Sequence, residues 1–364
     1  MSVALENVTR VVGAVTHIND VSLAFKSGTL SVLLGPTLSG KTSLMRLLAG
    51  LDTPTAGRVI VDGKEVTGID VRKRSVAMVY QQFVNYPSLT VFENIASPLR
   101  VQGRPSEEVE RRVGKVAGLL QLQPYLHRLP LALSGGQQQR TAIARALVKG
   151  ADLVLLDEPL ANLDYKLREE LRTELPRIFE ESGAIFVYAT TEPTEALLLG
   201  GRIVCLSEGR ALQVGDTPEV YRRPQSLQVA RLFSDPPLNT VAVEKREGAV
   251  VYGGGETALA NGLYAGLDDG PYSVGFRAHQ LGVASGAAVG GAADHHVFPA
   301  TVALTEITGS ESFVHLKRDD SNWVAVLPGV QQFMPGQTLE AALDPNDIFV
   351  FAPDGQLVAG PRPA

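Results

Sequence analysis

The sequence has little sulfur and few aromatic residues: one cysteine and one tryptophan in 364 residues, and 6% aromatics in all. A lone Cys205 excludes an internal disulfide and a cysteine-ligated metal cluster. Set in the apolar run Arg202-Ile203-Val204-Cys205-Leu206, it is expected to be a buried structural thiol. No apolar run approaches the roughly 18 residues that a membrane span needs. Residues 1–10 show no basic stretch ahead of an apolar core, so secretion is not expected and the protein is expected to remain in the cytoplasm. Positive charge is also short. A net charge of −6 opposes nonspecific binding to nucleic acid or anionic lipid, which depends on phosphate neutralisation by Lys and Arg. What remains, 45% hydrophobic and 20% charged residues, describes a globular chain long enough for two domains, each with its own core.

Residues 1–235 alternate short apolar runs with longer helical patterns, which predicts an α/β domain on a largely parallel sheet. Three runs stand out: Leu30–Leu34 before a glycine-bearing loop, Leu153–Leu156 before two acids, and Ile185–Ala189 before a polar turn. Each reads as a buried strand with polar residues at its C-terminal end, where open α/β sheets bind ligands. After Ser234-Asp235 the pattern becomes short, alternating and Gly-punctuated, as in Tyr272–Phe276 and Ser312–Leu316, which suits a small β-barrel over residues 236–364. Ala284–Ala293 is built of Gly, Ala, Ser and Val and reads as a mobile surface loop. His295-His296 beyond it is a possible metal ligand pair, but without further clustered ligands it reads as part of a solvated loop.

Gly35-Pro36-Thr37-Leu38-Ser39-Gly40-Lys41-Thr42 fits G-x-x-x-x-G-K-S/T between a strand and an apolar helical pattern, Leu44–Leu48. Backbone N–H groups at a helix start surround phosphate oxygens, Lys41 reaches the β and γ positions, and the Thr42 hydroxyl suits Mg2+. Ser43 follows and joins the nucleotide-binding set. Downstream, Asp157 can hold Mg2+ through water and Glu158 can orient or deprotonate the attacking water. The two elements together indicate a P-loop NTPase. Leu133-Ser134-Gly135-Gly136-Gln137, with Ser134 capping an apolar-faced helix (Ala142, Ile143, Ala146, Leu147), forms a second phosphate-binding surface. Two such surfaces on one domain suggest a site shared between two domains.

Leu133–Gln137 resembles the ABC signature, and residues 1–235 resemble an ABC ATPase domain throughout. The resemblance implies ATP and Mg2+ as cofactors and a signature that closes over ATP held by the other subunit's P-loop. Gln81 matches the glutamine that senses the γ-phosphate and helps hold Mg2+ with Thr42 and Asp157. Ala161-Asn162-Leu163-Asp164 matches the loop whose Asp164 communicates across the dimer. Tyr86-Pro87, Leu167-Arg168 and the C-terminal extension are similar to carbohydrate-importer ATPases of the maltose and glycerol-3-phosphate type. In that family the extension is an OB-like regulatory barrel, matched here by Val274–Arg277 and Gly309-Ser310-Glu311. The resemblance implies integral membrane permease subunits as partners, reached through Phe83–Arg100, and a second ATPase subunit. It also implies an extracytoplasmic solute-binding protein acting indirectly, no nucleic acid, and a peripheral place on the cytoplasmic face of the bacterial inner membrane.

Three positions depart from the family. Thr191 stands where a histidine is expected after Tyr188-Ala189-Thr190, and a hydroxyl neither carries positive charge nor relays a proton as imidazole does. Val12 stands where an aromatic stacks on adenine, and Leu38 replaces a P-loop glycine, which puts the loop's geometry in question. ATP binding with reduced hydrolysis is therefore expected, with the intact signature completing a working site on a different partner ATPase. The alternatives are a homodimer with two working sites, a mainly regulatory nucleotide-binding subunit, or a soluble ABC ATPase serving ribosomes or DNA repair.

Overall fold

The computed structural model describes residues 1–361 except 83, 162, 254, 285–294 and 320, with residue 167 described for its backbone only. Contacts divide the chain into Met1–Thr217 and Pro218–Ala364. The first unit runs β1 (Ser2–Val12), β2 (Val15–Lys26), β3 (Leu30–Leu34), α1 (Lys41–Ala49), β4 (Ala56–Val61), β5 (Lys64–Glu65), β6 (Val76–Val79), α2 (Val91–Val101) and α3 (Ser106–Leu119). It continues with α4 (Gly135–Val148), β7 (Leu153–Asp157), α5 (Tyr165–Ser182), β8 (Ile185–Thr190), α6 (Pro193–Leu199), β9 (Arg202–Ser207) and β10 (Arg210–Asp216).

Six of these strands form one sheet in the order β10-β9-β3-β8-β7-β6, parallel except for the β9–β10 hairpin. β7 and β8 are buried along their whole length, as expected where helices cover both faces of a parallel sheet and the strand sequence is continuously apolar. β1 and β2 instead alternate in burial and lie in a second, antiparallel sheet of order β2-β1-β4-β5. Leu44, Met45, Leu47 and Leu48 of α1 fill the core between the sheets against Val3, Leu5, Phe25, Leu155 and Val187. Burying a Leu or Val side chain contributes about 1.5–3 kcal/mol, so this layer holds the P-loop helix in place. Cys205 lies buried in β9, and burial pushes its thiol up to about 12.

The division at Thr217 falls before the expected boundary of 235/236. Two short helices, α7 (Thr217–Arg222) and α8 (Leu227–Leu232), account for this. Ala230 packs with Leu238, Phe349 and Phe351, Tyr221 meets Phe233 edge-on at 5.7 Å, and the Arg277 guanidinium lies 3.7 Å from the centre of the Tyr221 ring. The apolar faces of these helices are thus covered by the β-rich unit.

That unit contains a six-stranded and a five-stranded antiparallel sheet. The expected strands are present as Gly270–Phe276 and Glu311–Arg318. Val250, Val274 and Phe276 of the first sheet and Phe298, Leu316 and Trp323 of the second share one core, which is the all-β, barrel-like architecture anticipated. The loop expected at Ala284–Ala293 lies outside the described residues apart from Ala284, which ends a strand. The reading of His295-His296 as solvated loop fails for His296. This residue opens the strand His296–Ile307, is only 4% exposed, and bonds through Nε2 to Asn261 Oδ1 at 2.8 Å and through Nδ1 to the Tyr252 hydroxyl. Burial lowers its pKa, favouring the neutral ring. Alternation within the strand, invisible in a His-His pair alone, decides which of the two faces inward.

Candidate nucleotide site

Parallel order places the ends of β3, β8 and β7 side by side, and each end carries one part of the site. The loop after β3 begins at Gly35, whose N–H donates to Thr190 O at 3.4 Å, while Glu158 N–H donates to Ala189 O at 3.0 Å. Thr191, the exposed residue that follows β8, therefore lies between the P-loop and the acidic pair. A Cβ at Gly35 would come within 2.3 Å of Leu206 O, and one at Gly40 within 2.8 Å of His17 O. Glycine is required at both positions for close backbone approach, and at Gly40 also for its φ of 102°.

Lys41 is buried, 5% exposed, with Nζ donating to Gly35 O at 2.7 Å and Pro36 O at 3.1 Å and lying 3.7 Å from Glu158 Oε1. Burial pulls its pKa down, against the opposing pull of Glu158 and Asp157. Thr42 Oγ1 donates to Asp157 Oδ2 at 2.7 Å, and Gln81 Nε2 donates to Glu158 Oε2 at 3.0 Å. Asp157 is buried, and that desolvation raises its pKa, with the Thr42 hydrogen bond opposing. Ser39 Oγ is buried with no hydrogen-bond partner among the described residues, a polar atom inside the loop left for an acceptor or donor from outside. Lys41, Thr42, Gln81, Asp157 and Glu158, separated widely in sequence, thus form one cluster of a buried cation, a hydroxyl, an amide and two acids.

Ser134 caps α4 as expected. Its Oγ accepts from Gln137 N at 3.3 Å and the Gln137 side chain accepts from Ser134 N at 3.0 Å, a reciprocal capping box that leaves Gly135 and Gly136 N–H groups at an open helix start. Among the described residues, the hydrogen bonds of Ser134–Gln137 run to their own helix. Asp164 is exposed just ahead of α5, where its carbonyl accepts from Arg168 N. Asn162 and Phe83 lie outside the described residues.

Residues 18–161 match the ABC transporter family model, and residues 274–351 match the TOBE domain. The alpha-glucoside transport ATP-binding protein AglK of Rhizobium meliloti is 35% identical, covering 97% of this chain and 98% of its own length. The chain belongs to the ABC transporter ATP-binding proteins. Its likeness extends to the trehalose/maltose import ATP-binding protein MalK of Thermococcus litoralis, 36% identical over 96% of this chain and 97% of that protein. It extends also to the sn-glycerol-3-phosphate import ATP-binding protein UgpC of Paracoccus denitrificans, 36% identical over 94% and 95%. A solved dimeric structure of the ATP-binding cassette MJ0796, in a post-hydrolysis state with ADP and Pi, superposes with a TM-score of 0.55 at 32% identity, covering 59% of this chain and 98% of that one. This ABC ATPase couples ATP hydrolysis to transport, as its family does.

The unusual residues of this ABC protein have distinct structural settings. Leu38 is 96% exposed and takes φ 68°, so the loop keeps a left-handed backbone at this position although a Cβ is present. Relief of left-handed strain is worth about 1–2 kcal/mol and glycine's extra chain entropy costs about 0.5–1 kcal/mol. Leu38→Gly is therefore expected to raise the thermal midpoint slightly; a fall in thermal unfolding experiments would mean that the Leu38 side chain makes stabilising contacts. Val12 is 46% exposed and pairs with Val15 across the end of the β1–β2 hairpin.

Two groups near the site escaped sequence reasoning. His17 Nδ1 lies 3.2 Å from Ser43 Oγ and ties β2 to α1; nothing in a lone histidine on a strand signals that contact. Glu192 and Glu195 behind Thr191 meet Arg168 and Arg172 of α5, where Arg172 Nη2 lies 3.0 Å from Glu192 Oε2. Two arginines four residues apart on a helix were the available signal.

Proposed function

We propose that this chain is the ATP-binding and ATP-hydrolysing subunit of an importer for a carbohydrate-type solute: a sugar, sugar alcohol, glycerol or glycerol phosphate. The solute class rests on relatives that act on alpha-glucosides, trehalose and maltose, or glycerol 3-phosphate. The residues proposed to bind ATP are Gly35–Ser43 around the phosphates, Val12 beside adenine, and Ser134–Gln137 against a nucleotide held by a partner ATPase, with Asp164 at the junction. The observation carrying this reading is the cluster in which Lys41, Gln81 and Thr42 engage Glu158 and Asp157 at the ends of adjacent strands.

The donor set suits Mg2+, since Thr42 Oγ1 and Asp157 Oδ2 are hard oxygen ligands 2.7 Å apart and Gln81 adds an amide oxygen of the same hard class. When bound, held by Thr42, Asp157 and Gln81, the ion would supply positive charge against the phosphates. Lys41 now faces Glu158 at 3.7 Å. Arriving phosphates would compete for its ammonium and release the Glu158 carboxylate to orient and deprotonate water, while Gln81, bonded to Glu158, would transmit the change to the permease through the segment ending at Arg100. ATP favours the closed dimer only through its greater affinity for that state, so the chain need not touch the transported solute.

Thr191 in place of histidine supports an asymmetric pair, in which this P-loop site turns over slowly and the intact signature completes a competent site on a different ATPase. The assembly would lie on the cytoplasmic face of the inner membrane, bound to integral permease subunits and served indirectly by an extracytoplasmic solute-binding protein. No helix of the described residues is long and apolar enough to cross a membrane.

Native mass spectrometry of the complex extracted from membranes with this chain tagged tests the assembly. One copy beside a different ATPase on a permease is expected. Two copies would establish a homodimer and remove the asymmetry, and absence of a permease would overturn the transporter reading. At the base site, an aromatic ring would supply about 0.5–1.5 kcal/mol of stacking. Val12→Tyr is therefore expected to tighten ATP about 2- to 10-fold in a fluorescent-nucleotide titration, and an unchanged affinity would place adenine away from the hairpin end.

A further inference from the structure

Arg168 lies one turn into α5, with side-chain exposure of 23%. Its Nη1 donates to Glu192 Oε1 at 3.1 Å and Oε2 at 3.4 Å, while its Nη2 donates to Ala161 O at 3.3 Å. Both ends of that bridge are tied to the site. Ala161 N–H donates to Glu158 O at 3.3 Å, closing the turn that follows the acidic pair, and Glu158 itself is held at φ 46°. Glu192 N–H donates to Thr190 Oγ1 at 3.0 Å, so Glu192 and Thr190 bracket Thr191 in a second turn. Arg172 Nη2 holds the same Glu192 carboxylate at 3.0 Å, and Arg172 Nε lies 3.8 Å from Oε1 of Glu195, which is 4% exposed. A single guanidinium therefore spans the turn carrying Glu158 and the turn carrying Thr191.

We propose that Arg168 is a positioning residue for ATP hydrolysis that sets the spacing between the Glu158 carboxylate and the Thr191 hydroxyl, the two groups that must share one attacking water. This rests on the reading of Glu158 given above as the group that orients and deprotonates water, and takes the Thr191 hydroxyl, at the usual histidine position, as the second group on that water. A planar guanidinium presents N–H groups in a fixed fork, so one side chain can hold a carboxylate and a carbonyl at a set separation, which a single ammonium cannot do. Arg168 Nε is buried with no hydrogen-bond partner among the described residues. An unpaired buried donor costs stability, so the side chain is placed where the bridge requires it rather than where its own bonding would be complete. The short Thr191 side chain strengthens the requirement: a hydroxyl acts over a shorter reach than an imidazole, and small displacements at reacting atoms reduce rates steeply.

The test is ATP hydrolysis at this chain's own P-loop, measured in the intact transporter complex with any second ATPase inactivated at its P-loop lysine, for chains carrying Arg168→Ala, Arg168→Lys, Thr191→Ala, or Arg168→Ala with Thr191→Ala. It is run with a fluorescent ATP analogue titration and a thermal midpoint for each complex. Arg168→Ala is expected to lower kcat about tenfold with nucleotide affinity within about twofold of the parent, and the double variant to be no slower than the slower single variant. Arg168→Lys is expected not to restore the rate, because it neutralises Glu192 without bridging to Ala161. An unchanged kcat for Arg168→Ala, rescue by Arg168→Lys, or losses that multiply in the double variant would overturn the proposal, whatever the thermal midpoints. Parental kcat in Thr191→Ala would instead overturn the role given to Thr191 and, with it, the spacing assigned to Arg168.

Discussion

Glu158→Gln is expected to abolish most turnover at this P-loop while preserving ATP binding. General-base assistance contributes about 10²- to 10⁴-fold, and the substitution keeps the size of the side chain and an oxygen able to accept from Gln81, whose Nε2 lies 3.0 Å from Glu158 Oε2. What it removes is the carboxylate charge 3.7 Å from Lys41. Triphosphate should therefore bind at least as tightly, since it no longer competes with a neighbouring anion for a cation that is 5% exposed. Single-turnover hydrolysis beside a nucleotide titration separates the two effects. A rate within about threefold of the parent would show that Glu158 is not the base, and lost binding would show that it is needed to shape the loop.

Thr191→His is expected to accelerate hydrolysis at this P-loop by up to about 10²-fold, the usual scale for one electrostatic donor at a transition state. Position 191 is exposed at the end of β8, so a larger ring meets open space, and its placement between the P-loop and Glu158 is set by backbone hydrogen bonds that do not involve the Thr191 side chain. Turnover should also acquire an inflection near about pH 6.5, where an unperturbed imidazole titrates. An unchanged or lower rate would show that the hydroxyl is adequate and that slow turnover, where observed, has another origin.

The candidate site was legible residue by residue because its parts are local. A phosphate loop is one turn between a strand and a helix, and Gly35–Thr42 spells it out in consecutive positions. The Ser134 cap was legible for the same reason, since a capping box spans only four residues and its geometry appears as expected. The loop around Leu38 shows the limit. Sequence marks a leucine where glycine is usual but does not say whether the chain changes its path or accepts the strained one, and φ 68° shows the latter. Residues 218–235 look like the helical patterns before them, so the sequence places a boundary after them; the packing of Ala230 on Phe349 and Phe351, more than a hundred residues away, groups them with the β-rich unit.

The chemistry available to this protein is already present in its residue order: a phosphate loop, a pair of acids, a signature, and a hydroxyl where an imidazole is usual. These are written in side-chain identity and short-range periodicity, which do not depend on how distant segments meet. Tertiary structure alone decided the grouping. Strand order β3-β8-β7 brings Lys41, Thr191 and Glu158 to one edge, Gln81 arrives from β6 at the sheet's end, and Arg168 joins two loops that sequence treats as independent. The reason is that parallel strands pair through crossovers whose length carries no record of which strand becomes whose neighbour, so proximity is set by the burial of the whole sheet.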